Sequence, residues 1–120
     1  MINHDKDIRN YWALNPREFH LLDRLVLSQT YPAKRSSELL SLDLVLRSKE
    51  TSDRRRLYLS FNGVEELQLT PHASLIQLLL LEIRSIRDRQ WENLKYEVKE
   101  TEEDTLSFFC ASFEATIREL

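Results

Sequence analysis

The chain has 120 residues, a net charge of −3 and a single cysteine. That length is one domain over residues 1–120, able to bury about two-thirds of its surface on folding, and a lone cysteine excludes an internal disulfide. One glycine, Gly63, excludes the glycine-rich loops that cradle phosphate, and the slight acidity argues against nucleic acid as a partner.

The opening MINHDKDIRNYW is polar and lacks the apolar core of a signal peptide. Residues 5–14, DKDIRNYWAL, fit a short helix. Asn3 or Asp5 can cap it, Asp7 complements its dipole, and Ile8 and Trp12 share a face. Asn15-Pro16 stops it. From Phe19 the apolar period turns to two. Residues 19–27 set Leu21, Leu25 and Leu27 on one face, with Asp23 interrupting. Tyr31-Pro32 and AKRSSE read as a connection. In residues 39–48, Leu40, Leu42, Leu44 and Leu46 point one way, and Ser41, Asp43, Val45 and Arg47 the other, as in a half-buried strand. KETSDRR is a polar turn. Residues 56–62 resume with Leu57, Leu59 and Phe61 inward, Tyr58 and Ser60 outward. Asn62-Gly63 is a turn signal, since both tolerate positive φ. In VEELQL the step from Val64 to Leu67 breaks the period of two and predicts a bulge near Glu65-Glu66. Thr70-Pro71 ends that strand.

Residues 71–90 carry two patterns. Leu75, Leu78, Leu79, Ile83 and Ile86 form a helical stripe behind Thr70-Pro71. Leu78, Leu80 and Ile86 also alternate against Leu79, Leu81 and Ile83. Context downstream tips the reading to a strand over 78–88, after a helical turn at 71–77. Residues 91–100 place Leu94, Tyr96 and Val98 at period two. Beyond the short turn TEED, residues 105–117 set Leu106, Phe108 and Cys110 on one face and Phe109, Ala111, Phe113, Ala115 and Ile117 on the other. Loops this short join antiparallel strands. The expected fold is mainly β, α+β at most: about seven antiparallel strands in a small sandwich or open barrel, with the short helix over one end. The most apolar run, Leu78–Leu81, is too short to span a bilayer. The chain is expected to be cytoplasmic, with no membrane contact.

No catalytic, cofactor-binding or metal-binding set emerges. Cys110 lies mid-strand among phenylalanines, where burial raises a thiol's pKa instead of activating it. His4, His20 and His72 have no metal-ligand spacing, and His20 with Asp23 is the nearest approach to a pair. The acidic run Glu97, Glu100, Glu102, Glu103 and Asp104 lacks the glycine and alternate spacing of a calcium loop, and reads as a solvated turn. Arg54, Arg55 and Arg56, and the run Arg84, Arg87 and Arg89, read as ion-paired surface, with Arg84 and Arg87 one hairpin arm from Glu97 and Glu100. Tyr11, Trp12, Tyr31 and Trp91 fall in or near connections, where such side chains either anchor partner proteins or pack over the ends of a sheet.

The FH…D opening (Phe19, His20, Asp23), the strand LYLSFNGVEELQL, then LLEIRSI, WENLKYEV and DTLSFFCASFEA together resemble the small bacterial immunity-type proteins found beside polymorphic toxins. The similarity covers about residues 17–117. Its pieces, Phe61-Asn62-Gly63-Val64 and Leu106-Ser107-Phe108 with Cys110, are strand and turn signatures. Where such relatives often show His-Asp after the opening phenylalanine, this chain has His20-Leu21-Leu22-Asp23, so no role of that pair is carried over. The resemblance implies a non-enzymatic protein that acts by binding a partner protein. The alternative from the residues themselves is a small-ligand carrier with a pocket near His20 and Tyr58. A third is a homodimer formed through an exposed strand edge.

Overall fold

A computed structural model of the chain describes residues 5–30, 40–71, 76–86 and 94–120. The expected helix runs over Lys6–Ala13 (α1). Asp5 caps it: its Oδ1 accepts from the amides of Asp7 at 2.9 Å and Ile8 at 3.1 Å, two of the donors a helix start leaves unpaired. Ile8 and Tyr11 are the buried pair, while Trp12 stays half-buried. Asn15 then takes the left-handed conformation (φ 55°) and Pro16 opens a 3-10 turn over Pro16–Glu18.

Eight strands follow: β1 Leu21–Gln29, β2 Leu40–Arg47, β3 Arg55–Asn62, β4 Glu65–Leu69, β5 Leu81–Ser85, β6 Tyr96–Glu100, β7 Leu106–Cys110 and β8 Ser112–Glu119. They form two antiparallel sheets, ordered β1-β2-β3-β8 and β4-β7-β6-β5. Of the two expected architectures, a small sandwich or an open barrel, the two sheets form the sandwich. In the first sheet the leucine alternation becomes three cross-strand rows. Leu27, Leu42, Phe61 and Phe113 make one; Leu25, Leu44, Leu59 and Ala115 the next; Leu22, Leu46, Leu57 and Ile117 the third. The register of β1 slips between Leu22 and Arg24, so Asp23 is the extra residue and Leu22, not Leu21, completes the third row.

Two chain passages differ from the sequence expectation for one reason. Asn62-Gly63 does not close a hairpin. β3 runs on through Gly63 (φ 65°) into β4, which belongs to the other sheet and pairs with β7. β7 likewise continues through Ala111 into β8, which pairs with β3. The amide of Ala111 donates to the Asn62 carbonyl at 2.9 Å, tying the two corners together. Strands that switch sheets at a bend are how orthogonally packed sheets turn their corners. The bend also resets the side-chain alternation. Leu106, Phe108 and Cys110 therefore face the same core as Phe113, and not opposite sides of one long strand. The bulge expected at Glu65-Glu66 is present, with Glu66 at φ 55° and the β4 register shifting between Glu65 and Gln68.

Aromatic rings join the sheets. Phe61 meets Phe108 edge-on at 4.8 Å, and Phe113 meets Tyr96 edge-on at 4.9 Å. Such pairs add about 0.5–1.5 kcal/mol each beyond their buried area. Helix α1 closes one end, with Tyr11 edge-on to Phe113 and its hydroxyl donating to the Leu81 carbonyl at 2.6 Å. Residues 76–78 are extended: Leu78 donates to the His20 carbonyl at 2.7 Å and Leu22 to that of Ile76 at 3.1 Å. The strand reading of this stretch holds over Leu81–Ser85, while the helical turn expected at 71–77 falls largely outside the described residues.

Candidate partner-binding face

The four aromatic candidates separate. Tyr11 is only 1% exposed and belongs to the core that α1 builds. Trp12 borders a surface hollow of about 490 Å³ with Asn15, Pro16, Arg17 and Glu18. Tyr31 and Trp91 lie outside the described residues. His20 and Tyr58 are not brought into one hollow. The Nε2 of His20 lies 2.8 Å from the Arg17 carbonyl, so this nitrogen carries the donated hydrogen, and its buried Nδ1 has no partner among the described residues. Burial, and then the charge of Lys49, holds the imidazole pKa below its usual value. Tyr58 stands on the outward face of β3, away from that turn.

Cys110 is fully buried, and burial pushes its thiol up to about 12. A nucleophilic cysteine needs the opposite shift. Among the described residues no group of His, Cys, Asp or Glu side chains is arranged to hold a metal ion, and no helix is long and apolar enough to cross a membrane.

The acidic run contains a residue that composition hid. Glu100 is fully buried, not solvated. Its carboxylate accepts from the amides of Glu103 at 2.7 Å, Glu102 at 2.9 Å, Leu80 at 3.3 Å and Thr105 at 3.4 Å. The alternation Tyr96, Val98, Glu100 pointed to this inward position. What it did not reveal is that the turn after β6 folds back to supply the donors.

Of the two arginine clusters, Arg55, Arg56 and Arg84 are ion-paired, as expected, while Arg87 and Arg89 lie outside the described residues. Arg55 binds Asp53 at 2.9 Å and Glu18 at 3.3 Å, and lies over the Phe19 ring at 5.1 Å. On the second sheet's outward face Arg84 pairs across the strands with Glu97, as anticipated, and binds Glu82 at 2.6 Å. Lys99 stands opposite Glu82 and reaches Asp104 at 4.0 Å.

The first sheet's outward face is different. It holds a shallow hollow of about 490 Å³ running across all four strands, with Tyr58 at its middle. The register puts Arg24, Val45, Tyr58 and Thr116 in one row, and Val26, Asp43, Ser60 and Glu114 in the next. Arg118 lies over the Tyr58 ring at 4.7 Å. Asp43 accepts from the Ser60 hydroxyl at 2.7 Å. Toward the start of β1, Asp23 is shared between Arg47 at 3.7 Å and Arg56 at 3.5 Å. Alternate residues of four strands have been placed here by the same period of two that filled the core behind them.

The chain is thus a small two-sheet sandwich with one open, charged and partly apolar sheet face. The family model described as Immunity protein PIM8 matches residues 3–116, and the chain belongs to that family. No curated protein and no solved structure gives a significant match.

Proposed function

We propose that the chain is a non-catalytic immunity protein that binds one toxin protein and neutralises it. The observation that carries this reading is the family match across nearly the whole chain, residues 3–116. The arrangement of groups supports it. The thiol is buried with a raised pKa, and the exposed arginines and tyrosine of the first sheet are of the side-chain types that dominate protein interfaces. A single domain of this size needs no motion to act: occupying the partner's working surface suffices.

The test is to look for a toxin gene next to this chain's gene and to co-express its toxin domain with the chain. Restored growth, together with co-elution of the two proteins in gel filtration, is the expected result. Undiminished toxicity with no complex overturns the reading.

A further inference from the structure

Resting on that reading, we infer that the outward face of the first sheet is the docking surface, and that its arginine end receives an acidic patch of the toxin. The charge distribution carries the argument. The protein as a whole has a net charge of −3. Yet one end of this face gathers Arg24, Arg47, Arg56 and Arg118 around a single carboxylate, Asp23. The next row toward the other end carries the carboxylates of Asp43 and Glu114, and the row beyond it is uncharged, Ser28, Ser41, Asn62 and Ser112. Charge is thus separated along the strands, positive toward the start of β1 and negative toward the start of β2. A separated pattern fixes the orientation of a partner as well as attracting it.

The second sheet's face has the same number of strands but no such pattern. On β5 and β6 its charges alternate in sign and are paired with one another, Arg84 with Glu82 and Glu97, and Lys99 with Asp104, and β4 adds only the exposed carboxylates of Glu65 and Glu66. Charges already neutralised by neighbours have little field left for a partner. On the first sheet Arg24 and Arg118 have no carboxylate partner among the described residues. The guanidinium of Arg118 is held over Tyr58, where its donors keep a fixed direction and stay open to a carboxylate. An arginine positioned this way loses less freedom on binding than a free one, and forms two parallel bonds to one carboxylate. Val26 and Val45, beside Tyr58, supply the apolar centre that such a contact needs to exclude water.

The experiment measures binding of the toxin domain that the chain neutralises in the co-expression test to the full chain and to three charge reversals. Arg24→Glu and Arg118→Glu each weaken binding about 100-fold, because a like charge is set against the acidic patch. Arg84→Glu, on the other sheet, leaves affinity within about threefold, as expected of a rim or non-interface charge. Thermal melts of all three match the unaltered chain, since these side chains are exposed. Affinity of the unaltered chain falls as sodium chloride is raised. Binding that survives both first-sheet reversals overturns the inference and leaves the immunity function standing. Loss only in Arg84→Glu moves the interface to the second sheet. An unaltered chain that neither binds nor neutralises the toxin removes the function and this inference with it. Tighter binding to a single-stranded RNA than to the toxin, abolished by Arg118→Glu, also overturns it.

Discussion

The two sheets face the same core but are held in different ways. The first has strands of eight or nine residues and three unbroken apolar rows behind its outward face. All four strands of the second sheet, Glu65–Leu69, Leu81–Ser85, Tyr96–Glu100 and Leu106–Cys110, have five residues. With less apolar length per strand, it uses polar groups structurally. A buried carboxylate organises the turn between β6 and β7, and charges pair across the outward face. The lesson is about availability. The sheet secured from within leaves Arg24 and Arg118 on its outer face without a carboxylate partner among the described residues, whereas on the sheet secured partly from outside Arg84 and Lys99 are already paired.

The largest perturbation joins the two. Phe61 touches Phe108 across the sandwich and Phe113 beside it, so Phe61→Ala removes contacts to both sheets. We expect a loss of about 3–5 kcal/mol in urea unfolding. Far-UV circular dichroism and tryptophan fluorescence should lose signal together, as one cooperative unit. Separate transitions would break the picture of one shared core.

Glu100→Ala tests the second sheet alone. It leaves the amides of Glu102, Glu103, Leu80 and Thr105 without their acceptor, and we expect a cost of about 3 kcal/mol. Glu100→Gln keeps one carbonyl acceptor and should recover part of it. Hydrogen exchange at those amides should accelerate more than at β2 and β3. A stability change below about 0.5 kcal/mol, the range of ordinary surface substitutions, would return Glu100 to the solvated turn that the acidic run suggested. Gly63→Ala is smaller. The left-handed backbone at this corner disfavours a Cβ by about 1–2 kcal/mol, and a neutral result would show that the corner relaxes.

How far these features were legible follows from their range along the chain. The rows Leu42, Leu44, Leu46 and Leu57, Leu59, Phe61 are local alternation, and the sequence displays them directly. The cap by Asp5, the bulge after Val64 and the pairing of Arg84 with Glu97 are also local or one hairpin away. The corners were not legible as corners. At Asn62-Gly63 the permissive backbone was visible, but a hairpin and a change of sheet ask for the same residues. At Ala111 the sign was a second slip in period, from Cys110 to Phe113, resembling the one between Val64 and Leu67. Read as one strand, residues 105–117 seemed two-faced. The docking face was hidden for a related reason. Arg24, Val45, Tyr58 and Thr116 come from four strands, and only the register makes them neighbours.

The smallest effect is the most local, and it contrasts the two acidic turns. Between β2 and β3, Asp53 accepts from the amide of Arg55 at 3.0 Å and grips its guanidinium through both carboxylate oxygens. The hydrogen bonds from the Arg55 side chain and amide hold its pKa at about 2, against 3.8 for a free aspartate. A depressed carboxylate pKa stabilises the fold above the unfolded value, and that contribution is lost as pH falls through the folded one. For Asp53 the window is therefore between about 4 and about 2. The Asp53 side chain is half-buried beside a more exposed guanidinium, so added salt should narrow the shift only in part. A carboxyl-detected NMR titration should place the midpoint near 2 in the unaltered chain and return it toward 3.8 in Arg55→Ala. That variant should leave amide exchange around Glu100 unchanged, because the contacts of Arg55 with Asp53, Glu18 and Phe19 lie apart from the turn that Glu100 organises. An unaltered midpoint near 3.8 would mean that the pair does not persist in solution. The contrast between a turn held by a half-buried carboxylate and one held by a fully buried carboxylate would then rest on Glu100 alone.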